Sequence, residues 1–212
     1  MNAAKRTAEI TSASLKQDKL FVNGRQYTVD NISTLPECLQ PHNVATAKNE
    51  DVIVFFTKNA IFSNFHPLEV SVNGNSYCCN EQYIQHSKAC LFGDNETANA
   101  IMETNDPVTQ KALGKKVKGF NKETWLNQVD RILETVNHAK YVQHPNALKA
   151  LKDTGQRVIG EASLDQDFGI GMGLNHKNAC NSDEWQGHNR MGKTLAHLRD
   201  TVFKDKSSES DD

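Results

Sequence analysis

The stretch Asn80-Glu81-Gln82-Tyr83-Ile84-Gln85-His86-Ser87-Lys88 places an acid, an amide and an amine at positions 81, 85 and 88. Seven helical residues at roughly 100° each return to nearly the same face, so Glu81, Gln85 and Lys88 project together. A carboxylate paired with a lysine does acid–base or covalent work on a sugar carbon. The plain alternative is a solvated helix face carrying a distant ion pair. Asn80 suits the N-cap of such a helix and Gly93 its C′ position.

Three further clusters carry chemical possibilities. Phe56 with Ser63-Asn64-Phe65-His66-Pro67 reads as a strand end followed by a polar, aromatic loop. Aromatics there stack on a base and an Asn amide reads ribose or base edges, unless the rings are core and Asn64 is a turn residue. Trp125 lies in the first turn of a long helix, on that helix's own apolar stripe, where a core anchor is the ordinary reading. Asp165-Gln166-Asp167-Phe168-Gly169-Ile170-Gly171-Met172-Gly173 spaces glycines at every second position, which permits close approach of the backbone to phosphates. It is not the dinucleotide fingerprint, and a flexible connector is its plain alternative.

The elements that must hold these residues follow from turn chemistry and periodicity. Residues 1 to about 18 are polar and expected to be mobile. Leu20 to Val29 predicts a hairpin turning at Asn23-Gly24, and a second hairpin turns at Asn73-Gly74. Residues 30–50 read as an irregular connector, and Asp51 to Phe56 as a buried strand. Short helices are expected over 95–103 and 107–114, the second opened by Pro107 and closed by Gly114. Asn121 caps a longer helix with Trp125, Val129, Ile132, Leu133, Val136 and Tyr141 inward. Pro145 to Gly155 is another helix, residues 157–163 a short strand, and residues 189–203 a last helix burying Met191, Leu195, Leu198 and Val202. Strands scattered among helices point to an α+β fold, a mostly helical single domain around a small antiparallel sheet. The expected organisation is an N-terminal extension over 1–50, a catalytic domain over 51–203 and a disordered acidic tail over 204–212.

Composition excludes several classes. With 212 residues, 37% hydrophobic, 24% charged and a net charge of −2, no broadly basic nucleic-acid footprint exists, so any such contact is local. The N-terminus lacks the apolar core of a secretory signal, and the longest apolar run, Val52 to Phe56, is too short to cross a bilayer. Five cysteines without regular spacing predict reduced thiols in an intracellular protein, cytoplasmic or nuclear. No metal spacing is present, so neither a metal nor a cofactor is expected.

Taken in order, these pieces resemble the NADAR domain, the family that includes riboflavin-biosynthesis-intermediate N-glycosidases and ADP-ribosyl-guanine hydrolases. The matching residues are Phe56, Ser63-Asn64-Phe65, Glu81-Gln82-Tyr83 followed by Lys88, Trp125, Glu161-Ala162-Ser163, Asp165 with Gly169 and Gly171, then Gly192 and Arg199. The resemblance covers about residues 52–203. It implies cleavage of a ribose C1–N bond, with ADP-ribose on guanine as target, and a polar centre of Lys88, Glu81 and Asp165. It implies substrate contacts from Phe56, Asn64, Phe65, Tyr83, Trp125, Phe168, Gly169, Gly171 and Arg199. The implied partners are an ADP-ribose-containing substrate and ADP-ribosylated DNA or RNA, with no membrane. The chain departs from the pattern at Phe168, where the family usually has Trp, so an indole N–H donor is lost; the stretch from Met172 to His188 is also longer.

A lysine amine that captures C1 opens the sugar to a Schiff base, and the resemblance favours that route. A nucleophilic lysine must be neutral, but Glu81 nearby raises its pKa while desolvation lowers it. Glu81 is therefore expected to take the lysine proton, and Asp165 to stabilise charge or position water, all three converging around a sugar. Two alternatives use the same residues: hydrolysis of ribosylaminopyrimidine intermediates of riboflavin biosynthesis, and a module that binds ADP-ribose or NAD without cleaving it.

Overall fold

The computed structural model describes residues 52–173 and 176–203 in full and, before them, the backbone of strands within residues 13–51. The chain divides into two compact units, Met1–Phe56 with Gln156–Gly192 and Thr57–Gly155 with Lys193–Asp212. Short strands build the first and helices dominate the second, an α+β arrangement.

In the first unit Val52, Ile53, Val54 and Phe55 are fully buried. Such a continuous apolar run suits a strand covered on both faces. They fill β5 (Glu50–Phe55), the central strand of a sheet flanked by β4 (Val44–Ala47) and β8 (Val158–Glu161). β4 pairs antiparallel, with Val44 opposite Ile53, but β8 pairs parallel, with Val52 opposite Val158. This sheet is mixed where an antiparallel one was expected, because about a hundred intervening residues form a crossover that returns the chain in the same direction. β4 also corrects the expectation of an irregular connector over 30–50. Likewise β1 (Ala13–Lys16), inside the stretch expected to be mobile, pairs with β2 (Lys19–Val22), which pairs with β3 (Arg25–Tyr27). Neither segment announces itself by composition, since a strand is set by its pairing partner as much as by its own propensity. The Asn23-Gly24 turn, the remainder of the connector and the tail from Lys204 lie outside the described residues.

The second unit opens on the hairpin of β6 (Val70–Val72) and β7 (Asn75–Tyr77), turned by Asn73 and Gly74 with φ of 52° and 81°. Both values fit the type I′ geometry that the Asn-Gly pair predicts. Then come α1 (Asn80–Leu91), α2 (Asn95–Met102), α3 (Pro107–Gly114), α4 (Lys122–Gln143) and α5 (Pro145–Lys152). Their starts are chemically marked: Asp94 accepts from the Thr97 amide, Asp106 from those of Val108 and Thr109, and Asn121 from that of Thr124. α1 packs against α2, α3 and α4, with Ala89, Ala98, Ile101 and Val117 as a small core cluster. The stripe on α4 is as predicted for Trp125, Val129, Leu133, Val136 and Tyr141, all buried, with Ile132 half-buried.

The last helix is shorter than expected. α6 (Arg190–His197) ends in a π-type turn over Leu198–Val202. Met191, Leu195 and Leu198 are buried, but Val202 is 44% exposed because the wider turn rotates its side chain off the apolar stripe.

Candidate active site

The predicted face of α1 forms, and it is not a solvated one. Glu81 is 5% exposed and its Oε1 accepts from Gln85 Nε2 at 2.8 Å. One turn further, Lys88 is half-buried, and its Nζ donates to the Gly114 carbonyl at 2.8 Å. The amine also lies 4.2 Å from the ring centre of Phe120 and 5.6 Å from that of Trp125. Burial lowers the pKa of Lys88, and the Glu81 carboxylate opposes that shift by favouring the ammonium. Both opposing influences expected at this lysine are therefore present, with desolvation the larger.

Gly114 has a different role from the one its position suggested. It is the last residue of α3 rather than a left-handed terminator, and a Cβ there would collide with the Gln85 amide. The missing side chain lets α3 come close enough for its carbonyl to meet Lys88. Phe120 was not singled out by sequence reasoning either. It stands just before the Asn121 cap, with Trp125 at the fourth helical position, the two positions of a hydrophobic staple. That signal was available and would have found it.

Glu81 is held at the start of α1 by the loop before the hairpin. Its amide donates to the Asn64 carbonyl at 2.9 Å, and the Phe65 amide donates to Ser63 Oγ at 3.1 Å. Asn80 is the first helical residue, not the cap; Cys79 precedes the helix without a side-chain capping bond. The Asn80 amide instead donates to Asn64 Oδ1 at 3.3 Å and to Asn137 Oδ1 at 3.0 Å. Asn64 is thus a buried structural amide, with its oxygen engaged by Asn80. Phe65 remains half-buried, with the Lys111 amine 5.8 Å from its ring centre.

Tyr83 and Arg199, also expected at the site, have other partners within the same unit. Tyr83 sits roughly 200° around α1 from Glu81, and its ring packs edge-on against Tyr77 at 5.1 Å. Arg199 is 8% exposed, donating to Thr154 Oγ1 at 2.9 Å and pairing with Asp200 at 2.6 Å. Both have ordinary structural partners there. In the first unit, half-buried Phe56 follows β5. Asp165 Oδ1 accepts from the amides of Asp167 and Phe168, each at 3.0 Å, which folds its own loop. Gly169 and Gly171 admit backbone, but it is the protein's own. Ile170 O accepts from the amides of Gln186 and Gly187, Gly169 O from that of Asn189, and a Cβ on Gly171 would strike Gly187. The spacing expected to approach phosphates serves here to lock one loop onto another. Phe168, half-buried, receives the Met191 amide on its carbonyl.

Among the described residues no group of three or more His, Cys, Asp or Glu could hold a metal ion, and no helix is long and apolar enough to cross a membrane. Sequence reasoning also missed Asn137 and Lys140, buried polar residues on α4 that the apolar stripe conceals.

The chain is 34% identical over 146 residues to N-glycosidase R617 of Acanthamoeba polyphaga mimivirus, covering 66% of this chain and 86% of that one. It is 23% identical to N-glycosidase YbiA of Escherichia coli strain K12, covering 68% and 82%. The solution structure of E. coli YbiA superposes with a TM-score of 0.58 at 22% identity, over 72% of this chain and 84% of that one, which shows a shared fold. The Riboflavin biosynthesis protein VVA0006 of Vibrio vulnificus is 22% identical over 68% of this chain but only 36% of its own length. The family model of the NADAR domain matches residues 52–203, and the chain belongs to the NADAR family.

Proposed function

We propose that the protein is an N-glycosidase that hydrolyses the ribose C1–N bond of an ADP-ribosylated guanine base, in a nucleic acid or a nucleotide, and releases ADP-ribose. The observation that carries this reading is the Lys88 amine: half-buried, lowered in pKa, beside two aromatic rings, and on the same helix face as the buried Glu81 carboxylate. The viral and bacterial relatives named N-glycosidase support the reaction class.

The chemistry follows from that amine. Neutral Lys88 attacks the anomeric carbon, and the C1–N bond breaks with its electron pair going to the base. The proton shed by the lysine nitrogen passes to Glu81 and on to the departing base. The nitrogen lone pair then expels the ring oxygen, which takes up a proton, leaving a Schiff base at C1. Water adds to C1, the lysine leaves as amine, and the freed aldehyde closes again to ribose. Positive charge on the sugar builds during the first step, and the faces of Phe120 and Trp125 favour a cation. Asp165 is assigned to charge stabilisation or water positioning by the family resemblance.

A second reading is favoured by the Vibrio relative named for riboflavin biosynthesis: the same amine and acid acting on a small ribosylaminopyrimidine. Incubating the protein with each substrate and following base release by chromatography separates the two. Release from ADP-ribosylated guanine supports the first reading; release confined to the aminopyrimidine replaces it; release from neither refutes both.

A further inference from the structure

Lys140 is 1% exposed on α4, a burial that charged side chains seldom reach without a partner of opposite charge. Its Nζ donates to the Ser63 carbonyl at 3.1 Å. The groups facing it are that carbonyl from the loop, Cys79 from the entry to α1, and the Tyr141 ring at 5.7 Å on its own helix. Burial pushes the Cys79 thiol up to about 12 and raises the Tyr141 phenol as well, so both stay neutral near physiological pH. Among the described residues nothing anionic balances an ammonium at this spot. Burial accordingly lowers the amine's pKa to about 7.

The carbonyl that Lys140 holds is one residue from the peptide that holds Glu81. Ser63 O accepts from Lys140 and from the His66 amide, and the next carbonyl, Asn64 O, accepts from the Glu81 amide. Asn137, one turn before Lys140, supports the same helix start through Asn80, and its own amide is tied back to Leu133 O at 2.9 Å. Two buried polar residues of α4 therefore seat both the turn and the helix end that carry the acid.

We propose that Lys140 is a positioning residue for Glu81, acting through the Ser63–Asn64 turn, and that its protonation makes this seat sensitive to pH. The inference rests on Glu81 being the proton-transfer partner of Lys88. As a neutral amine Lys140 donates to Ser63 O without placing a charge in a dry interior. Acid charges it, and the cost is relieved by letting the turn move and water enter. A shift of the acid by an ångström or less is enough to cut turnover on the order of tenfold to a hundredfold.

The test follows the Glu81 amide resonance of the full chain from about pH 5.5 to 8.5, a range centred on the Lys140 titration. It should shift with a midpoint near neutrality in the wild type and in Lys88→Ala, and should not do so in Lys140→Met. Lys140→Met should also lower kcat more than it changes KM and lose the part of the acid-side decline that belongs to Lys140. A Glu81 amide that stays flat in the wild type, or that still titrates in Lys140→Met, overturns the proposal. Should Lys140→Met not fold, the lysine side-chain amines of Lys88→Ala decide. A lysine titrating in step with the Glu81 amide supports the coupling, and its absence overturns it. Failure of the wild type to release base from either substrate refutes the functional reading, but leaves the amide titration as an independent test of this coupling.

Discussion

Two lysines of the helical unit share one physical condition and differ in everything around it. Lys88 and Lys140 both have amines whose pKa is lowered by burial. Lys88 is half-buried, has a carboxylate acting on it and two aromatic rings nearby, and donates to a carbonyl at the end of a neighbouring helix. Lys140 is sealed in, faces a thiol and a phenol that remain neutral, and holds a loop carbonyl. Desolvation makes an amine neutral, but access and a proton acceptor make it a nucleophile. A lowered lysine pKa therefore does not distinguish chemistry from support, and the surrounding groups do.

The largest effect expected from breaking this contrast is at Lys88. Lys88→Ala should lower turnover by at least about a thousandfold while changing stability by only about 1 kcal/mol, the scale of the hydrogen bond to the Gly114 carbonyl and the contact with Phe120 that the amine gives up. Base-release kinetics and a denaturant titration check both halves. Glu81→Gln should cost about a hundredfold or more in kcat. It should also move the pH profile, because removing the carboxylate removes what raises the Lys88 pKa. The amine then becomes neutral at lower pH, and the acid limb of kcat/KM should shift to lower pH with it.

Stability against pH sharpens the comparison from the other side. Lys140 titrates near 7 when folded and near its ordinary value of 10.5 when unfolded. Between those values the unfolded chain binds the extra proton, so this residue makes stability rise with pH across that window. Below about 7 its contribution is flat and unfavourable. Urea unfolding at a series of pH values should show that rise, on the order of a few kcal/mol at most, and Lys140→Met should flatten it. The smallest expected effect is at the helix contact. Gly114→Ala should destabilise by about 1–3 kcal/mol through overpacking against Gln85. It should lower turnover as well, because Gln85 is hydrogen-bonded to Glu81.

How much of this was legible depends on the range of the interaction. The α1 face, the Asn73-Gly74 hairpin, the Pro107 start of α3 and the Asn121 cap of α4 are local. Periodicity and turn chemistry reach them directly, so Glu81, Gln85 and Lys88 share a face as the spacing requires. The groups that α3 and the start of α4 bring to Lys88, the Gly114 carbonyl and the Phe120 ring, depend on a helix–helix approach set by one missing Cβ. Asn137 and Lys140 were hidden for a related reason. A polar residue on an apolar stripe reads as solvent-facing until its partner, dozens of positions away, is known. The parallel pairing of β8 with β5 spans a comparable separation. The spacing of Gly169 and Gly171 points to backbone approaching a phosphate, whereas the contacts seen at both glycines are with protein backbone. What approaches was not legible, since the partner residues 186–189 carry no signature of their own.

The central claim, that the amine of α1 bonds to the sugar, is tested most directly by reductive trapping. Borohydride is added while the wild type turns over ADP-ribosylated guanine, and the protein is mapped by peptide mass spectrometry. A ribose-derived adduct on Lys88, formed more slowly in Glu81→Gln, is the predicted result. Ready base release with Lys88 unmodified, or an adduct confined to other lysines, would contradict it.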